Sequence, residues 1–250
     1  MGYVEYINQI AFKILQPDVP VTEFLKSNTW VKQYITSAQS TGELEVLNTE
    51  IPGEDRERIK KLGSLLNIPR MSTFAIAAII NKAVSLMRDD LSFVNVGVWN
   101  GFTLLSGMID NPQKTCVGID NFSQFGGPRR AFLERFNKYR SPAHSFYDMD
   151  YRDYFRESHR GMIGAYLYDG EHSYENQFEG LQVAEPYFAD DCLVFVDDTN
   201  WSEPKSATLD FISQSANHYE ILLDEVTCQN RHPTFWNGFM VLQCHKRGDP

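Results

Sequence analysis

The sequence has few cysteines, and their spacing does not form a metal or disulfide framework. Its 250 residues include four cysteines, and no two of them make a Cys-x-x-Cys pair. This does not fit zinc ribbons or small disulfide-stapled folds. Cys116 and Cys192 each open an apolar run that is typical of a strand, which indicates buried thiols. We therefore expect a reduced, cytoplasmic protein.

The sequence also has no block of positive charge and no long apolar run. Its net charge is −10, whereas proteins that bind nucleic acid usually present a basic face. No apolar stretch reaches the roughly 18 residues that suggest a membrane-spanning helix. The amino terminus lacks a basic segment followed by an apolar one, as a secretory signal would require. We expect a small molecule as partner, and neither nucleic acid nor a membrane.

The sequence has no Gly-x-Gly-x-x-Gly, the phosphate-binding turn of dinucleotide enzymes. Residues 92–103 instead predict a strand that ends in a turn with Gly97 and Gly101, where the backbone can approach a ligand closely. The next predicted strand ends at Asp120, nineteen residues after Gly101. An acid in this place can accept hydrogen bonds from ribose hydroxyls. The turn could be a plain strand–helix connection and Asp120 a turn cap, but together they favour an adenosine-containing ligand.

Residues 165–201 contain two carboxylate-bearing strand ends that are separated by one helix. A strand–helix–strand succession of this length predicts two parallel, neighbouring strands. Their carboxyl ends then meet at one edge of the sheet, where open α/β sheets bind ligands. We therefore expect five polar side chains to converge on one crevice: Asp169, Glu171, His172, Asp197 and Asp198.

The chain divides into a helical first part and an α/β second part. Apolar residues recur at helical spacing from Ile7 to Leu15 and stop before Pro17. Strands and helices alternate later, and the last two predicted strands, 219–226 and 235–244, are joined by a hairpin-length connection, so the last strand is antiparallel. We predict a helical amino-terminal cap over residues 1–69 and an α/β domain over residues 70–250.

These motifs resemble the class I S-adenosylmethionine-dependent methyltransferases, and most closely their small-molecule O-methyltransferases. The run Asp-Gly-Glu-His-Ser-Tyr at 169–174 is similar to the Asp-Gly-x-His-x-Tyr signature of that subgroup. The strand end at 95–103 is similar to the family's first motif, with Asn95 in place of a Glu or Asp, and Gly118-Ile-Asp matches its second. The resemblance implies a Rossmann-like, seven-stranded, mostly parallel sheet whose last strand is antiparallel. It also implies these cofactor contacts: Asn95, Gly97, Trp99, Gly101, Thr103, Asp120, Met149, Asp150 and Asp169.

The resemblance further implies a divalent cation and a catalytic base. Catechol and macrolide-sugar O-methyltransferases hold Mg²⁺ on acidic or amide residues after their fourth and fifth strands, which here correspond to Asp169, Asp197 and Asp198. Mg²⁺, or Mn²⁺ in its place, prefers such oxygen ligands. Asp198 could instead cap the following turn. His172 lies where the resembling enzymes carry a Lys or His base, and Glu171 is the competing candidate.

The expected function is methylation of a hydroxyl on a sugar or a phenolic compound. We expect the amino-terminal region and the 227–237 connection to line the acceptor pocket. Two other functions remain open: a non-catalytic adenosine-ligand binding module, in which Asn95 marks a decayed site, and a nicotinamide-dependent oxidoreductase. The absent Gly-x-Gly-x-x-Gly and the antiparallel last strand disfavour the oxidoreductase. The sequence leaves open whether the chain is a homo-oligomer.

Overall fold

The amino-terminal part of the chain is mostly helical. The computed structural model describes residues 1–29, 38–53 and 56–247. The first elements of this part are α1 (Tyr3–Asn8), β1 (Ala11–Phe12), α2 (Val21–Ser27), α3 (Ala38–Asn48), β2 (Thr49–Glu50) and α4 (Arg56–Leu65). Strands β1 and β2 pair with each other antiparallel and form a separate two-stranded sheet.

The rest of the chain alternates helices and strands. Its elements are α5 (Phe74–Leu86), β3 (Leu91–Val96), α6 (Phe102–Met108), β4 (Thr115–Ile119), α7 (Arg129–Tyr139), β5 (His144–Tyr147), α8 (Tyr151–Asp153, continued by a π turn over Tyr154–Ser158), β6 (Met162–Tyr168), α9 (Tyr174–Ala184, followed by a 3-10 turn over Glu185–Tyr187), β7 (Phe188–Asp197), α10 (Ser202–Gln214), β8 (His218–Glu225) and β9 (Phe239–His245). The α5 helix is capped by Thr73, whose side chain accepts a hydrogen bond from the Ile76 backbone N–H at 3.5 Å.

Seven strands form one sheet in the order β5-β4-β3-β6-β7-β9-β8. The β5, β4, β3, β6 and β7 strands are parallel to one another, and β9 runs antiparallel between β7 and β8. All six residues of β3 are buried, which is typical of a central parallel strand covered on both faces. The predicted fold is confirmed: a Rossmann-like, mostly parallel sheet with an antiparallel last strand.

Two apolar cores lie on the two faces of this sheet. Successive residues of one strand alternate between them, so that Phe93 belongs to one core and Val94 to the other. The core that contains Phe93 also includes Tyr6 and Leu65 from the amino-terminal helices. These helices therefore share a core with the sheet, and the division of the chain at residue 69 stays a prediction.

The predicted helix from Ile7 to Leu15 is wrong in its second half. Helix α1 ends at Asn8, and the chain then enters β1. The Asn48 side chain accepts hydrogen bonds from the backbone N–H groups of Ile14 and Leu15, at 2.8 Å each. These bonds replace the helical hydrogen bonds that the apolar spacing predicted.

The connection between β8 and β9 is anchored to the amino-terminal segment. The Cys228 backbone N–H donates to the Pro17 carbonyl at 2.9 Å, and the Gln229 side chain accepts from the Val21 N–H at 3.1 Å. His232, which is fully buried, lies 3.1 Å from the Val19 carbonyl through its Nε2 atom. The β8 and β9 strands thus hold the two ends of this long connection, and residues 17–21 hold its middle part. No helix in the described ranges is long and apolar enough to cross a membrane.

Replacing Leu65 with alanine should lower the free energy of unfolding by about 2–4 kcal/mol, because it leaves a cavity in the core shared with the sheet. Urea denaturation followed by tryptophan fluorescence measures this change. The control is Lys60→Ala on the exposed side of the same helix, which should change stability by less than about 0.5 kcal/mol. A loss no larger than that of the control would mean that α4 does not share the core.

Candidate active site

The two carboxylate-bearing strand ends lie side by side, as the sequence predicts. The β6 and β7 strands are parallel neighbours, and Tyr168 pairs with Val196 near their carboxyl ends. Asp169 follows β6 directly, and Asp197 is the last residue of β7. The strand–helix–strand prediction for residues 165–201 is therefore confirmed.

A glycine allows the β6 end to cross the β3 end at very short range. The Asp169 N–H donates to the Val96 carbonyl at 2.9 Å. Gly97, which follows β3, has φ +78°, and a Cβ atom there would lie 1.8 Å from the Asp169 carbonyl oxygen. Any other residue would collide with the backbone. Gly97 therefore allows the turn after β3 to pack directly against Asp169, the first residue of the acidic cluster.

A cleft of about 430 Å³ opens at this edge of the sheet. This volume is within the usual range for small-molecule sites. Most of the predicted site residues line it: Gly97, Trp99, Thr103, Asp120, Met149, Asp150, Asp169, Glu171, His172, Asp197 and Asp198. The structure thus brings the predicted cofactor, base and metal residues into one cavity.

Two predicted cofactor residues, Asn95 and Gly101, do not line the cleft. Asn95 is fully buried, its amide donates to the Val96 and Gly97 carbonyls, and its Oδ1 accepts from the Thr103 hydroxyl at 2.8 Å. Gly101 has φ +94° and caps α6. Both residues shape the turn from inside, and a contact of either one with a cofactor stays a prediction.

The carboxylate of Asp120 organises the turn that it faces. Its Oδ2 accepts from the backbone N–H groups of Val98 and Trp99 at 2.9 and 2.7 Å, and its Oδ1 accepts from that of Phe122 at 2.6 Å. A carboxylate offers about four lone-pair sites, so about one remains on Oδ1. Asp120 can therefore both hold the turn and accept a hydrogen bond from one ligand hydroxyl.

His172 lies between two carboxylates of the acidic cluster. Its Nε2 atom is 3.6 Å from Asp169 Oδ1 and 3.2 Å from Asp198 Oδ2. The residue precedes α9, whose N-cap is Ser173, so it belongs to the turn and not to the helix. Burial tends to lower the pKa of His172, but the neighbouring carboxylates of Asp169 and Asp198 outweigh it and raise the pKa. The imidazole is therefore a stronger base than usual.

Asp197 and Asp198 are buried and Asp169 is partly buried, and these three carboxylates have little positive charge beside them. Burial raises the pKa of Asp169 to about 6, although His172 opposes the change. Burial and the charges of Asp169 and Asp198 raise the pKa of Asp197 far above its ordinary value. Asp197 Oδ1 is buried and has no hydrogen-bond partner among the described residues. Such groups are stabilised by a counter-charge.

This donor set has the chemistry that a hard divalent cation requires, because carboxylate oxygens are the ligands that Mg²⁺ prefers. In this structure His172 lies between the carboxylates of Asp169 and Asp198. Among the described residues, the group whose ligand atoms all lie within 4.8 Å of one another is a different one, Asp190, Asp191 and His245. That group is on the surface, where acidic clusters are common.

Other lining residues come from the segment before α5, from α6, from the N-cap of α10 and from the connection before β9: Arg70, Met71, Ser72, Phe102, Trp201, Asn230, Arg231 and Asn237. The sequence predicted that the amino-terminal region and the 227–237 connection would line the pocket, without identifying these residues. The connection does line it, whereas no described residue of 1–69 does. Asn237 has a defined place, since its amide donates to Asp198 Oδ1 at 2.7 Å. Only the paired fold brings it to Asp198, 39 residues away, so no local motif could have found it.

One family model matches the part of the chain that forms the cleft. Residues 94–199, from the middle of β3 to the acidic cluster, match the family model described as "Methyltransferase domain". The match covers less than half of the chain, and it agrees with the Rossmann-like methyltransferase fold that the strand order given above defines. No curated protein sequence matches.

Solved structures share the fold over most of the chain. The cofactor-bound protein Rv0187 from MTB has a TM-score of 0.57 at 12% identity and covers 93% of this chain and 100% of its own. An O-methyltransferase from Bacillus cereus in complex with SAH has a TM-score of 0.52 at 11% identity, covering 88% and 97%. The O-methyltransferase TomG from Streptomyces achromogenes, in complex with SAM, has a TM-score of 0.53 at 10% identity, covering 77% and 91%. At these identities the likeness concerns the fold.

Proposed function

We propose that the protein is an S-adenosylmethionine-dependent O-methyltransferase that methylates a hydroxyl of a sugar or phenolic small molecule with the help of a divalent cation. The observation that carries the proposal is the contact of Gly97 with Asp169, which joins the glycine turn to the acidic cluster in one cleft. The O-methyltransferases of similar fold, two of them described with SAH or SAM bound, support it.

The cofactor would occupy the part of the cleft beside the glycine turn. Asp120 has one lone-pair site left for a ribose hydroxyl, and Met149 and Asp150 line the cleft where the family resemblance expects adenine. Asp150 is fixed there, because its side chain accepts from the Arg152 N–H at 2.9 Å and caps α8. When bound, S-adenosylmethionine supplies a methyl group on a positively charged sulfur.

The cation would be held by Asp169, Asp197 and Asp198. When bound, it supplies the positive charge that these buried carboxylates lack and favours the deprotonated form of an acceptor hydroxyl. Asp197 Oδ1, which has no hydrogen-bond partner among the described residues, would gain the cation as its partner. Asn237 keeps one oxygen of Asp198 in place through its 2.7 Å hydrogen bond.

His172 is the base that the contacts favour. Its Nε2 atom faces Asp169 and Asp198, so a hydroxyl placed at the acidic cluster is within reach of that nitrogen, which would accept its proton. The two carboxylates would stabilise the resulting imidazolium. The Trp201 indole contacts the His172 ring edge to face, with ring centroids 5.9 Å apart, and limits movement of the imidazole. Glu171 lines the same cleft but is exposed, and its carboxylate has no resolved partner among the described residues.

Replacing Asp120 with asparagine should weaken S-adenosylmethionine binding by about 1.5–3 kcal/mol, the range for hydrogen bonds to charged groups, because the amide removes both a charge and an acceptor. Isothermal titration calorimetry measures the affinity. The control, Asp90→Asn, removes the same charge from the exposed residue before β3, at the opposite edge of the sheet, and should leave the affinity unchanged. Equal affinity in a folded Asp120 variant would remove this residue from the cofactor site.

Chelation should abolish methyl transfer, and Mg²⁺ or Mn²⁺ should restore it, because the buried carboxylates need a counter-charge. The assay is methyl transfer to a panel of diols after exhaustive treatment with EDTA. Restored activity should be lost in Asp197→Asn and kept in Asp191→Asn, which alters only the surface cluster. Full activity after chelation would contradict the cation and leave the methyltransferase proposal standing.

His172→Ala should reduce kcat by roughly 10²–10⁴-fold, the usual range for loss of a general base, with little change in S-adenosylmethionine affinity. Glu171→Gln should keep kcat within a few-fold of the native protein. Steady-state kinetics with calorimetry on both variants test this assignment. If Glu171→Gln is inactive and His172→Ala is not, the base is the carboxylate, and if both are active, neither residue is the base.

A further inference from the structure

Three arginines line the cleft, and two of them are already neutralised. The Arg70 Nη2 atom lies 2.7 Å from Glu45 Oε1, and the Arg152 Nη2 atom lies 2.6 Å from Glu179 Oε2. The guanidinium of Arg231 makes no ion pair and no hydrogen bond with the described part of the chain. Among the three arginines, Arg231 is therefore the one whose positive charge is not paired with another group of the described residues.

The backbone holds Arg231 in a fixed and unfavourable conformation. Its φ is +61°, which is uncommon for a residue with a side chain. The Arg231 N–H donates to Asn237 Oδ1 at 2.8 Å, and the amide of the same Asn237 donates to Asp198 Oδ1 at 2.7 Å. One buried side chain thus links the position of Arg231 to the acidic cluster.

The connection that carries Arg231 is anchored on both sides of it. Cys228 and Gln229 precede it and bond to Pro17 and Val21, and the fully buried His232 follows it. These contacts fix the backbone of Arg231 before a ligand arrives, and Asn237 links that backbone to Asp198. The exposed Arg231 side chain lines the cleft, and its guanidinium is available to a ligand.

The rest of the cleft would repel an anion. Six of its lining side chains are acidic: Asp120, Asp150, Asp169, Glu171, Asp197 and Asp198. The segment before α5 and the connection before β9, by contrast, contribute Arg70 and Arg231 and no acid. An unpaired guanidinium in such a cleft fits an oxyanion, which it can bind through two parallel hydrogen bonds.

We propose that Arg231 binds an oxyanion, either a carboxylate or a phosphate, on the same acceptor whose hydroxyl reaches the acidic cluster. The acceptor is then an anionic hydroxyl compound, with its charge at Arg231 and its reacting hydroxyl at His172. This inference rests on the proposed function for the position of the hydroxyl. The binding of the anion itself depends only on Arg231 and the connection that holds it.

The test compares matched ligands that differ in charge. Each is titrated calorimetrically into the protein loaded with S-adenosylhomocysteine and Mg²⁺. The pairs are 3,4-dihydroxybenzoate with 3,4-dihydroxybenzamide, glucuronate with glucuronamide, and glucose 6-phosphate with glucose. In at least one pair the anionic member should bind about tenfold or more tightly than its neutral partner, and the carboxylate and phosphate pairs identify the kind of anion.

Arg231→Gln should bring the members of that pair within about threefold of each other by weakening the anionic one. The control, Arg130→Gln, makes the same charge change at a residue that is 94% exposed on α7 and does not line the cleft, and it should keep the native preference. The proposal is overturned if no anionic member is preferred, if none binds, or if the preference survives in Arg231→Gln.

Methyl transfer to the same ligands separates this inference from the proposed function. If the anions bind through Arg231 but no ligand in a broader panel of diols is methylated, the proposed methyltransferase activity is contradicted and the anion site is supported. If neutral and anionic partners are methylated equally well and Arg231→Gln changes neither, the activity stands and the anion site fails.

Discussion

The structure depends on one close approach, between the backbone of Asp169 and the glycine that follows β3. A Cβ atom at Gly97 would lie 1.8 Å from the Asp169 carbonyl oxygen, so the two strand ends can meet only because this residue has no side chain. The contact fixes the distance between the turn that Asp120 organises and the cluster that Asp169 opens. Transfer of a group between two ligands requires such a fixed distance, because misplacement by about 1 Å can cost 10²-fold in rate.

The acidic cluster beside this contact lowers the stability of the fold. Burying three carboxylates together is unfavourable, as the raised pKa values of Asp169, Asp197 and Asp198 show. His172 offsets part of the repulsion, and Asn237 offsets part of it at Asp198. A protein that had only to fold would be more stable with fewer charges here. In the proposed function, the cation would offset this cost.

The sheet and the acidic edge could be predicted from the sequence because local patterns determine them. Apolar runs that end in polar turns locate β6 and β7, and parallel pairing then brings Asp169 beside Asp197. Other features depend on contacts between distant residues. Asn48 accepts the Ile14 N–H in the half of the predicted helix that is not helical. The Thr103 hydroxyl donates to the Asn95 oxygen, although the family resemblance assigned Asn95 to the cofactor. No periodicity or motif records such contacts.

The side chains on the acceptor side of the cleft also depend on contacts between distant residues and could not be predicted from the sequence. Asn237 and Arg231 come together through a hydrogen bond, and the connection that carries them is held by residues near position 20. Sequence reasoning located the connection but not the side chains. The solved structures of similar fold are 10–12% identical to the chain, a level at which they share the sheet and not the details of its loops.

The most direct test of this account is a crystal structure grown with S-adenosylhomocysteine and Mn²⁺, with anomalous data collected at the manganese edge. The account predicts one anomalous peak among Asp169, Asp197 and Asp198, and the ribose of the cofactor at Asp120. A manganese peak at Asp190, Asp191 and His245 alone, or a cofactor bound away from Gly97, would contradict it.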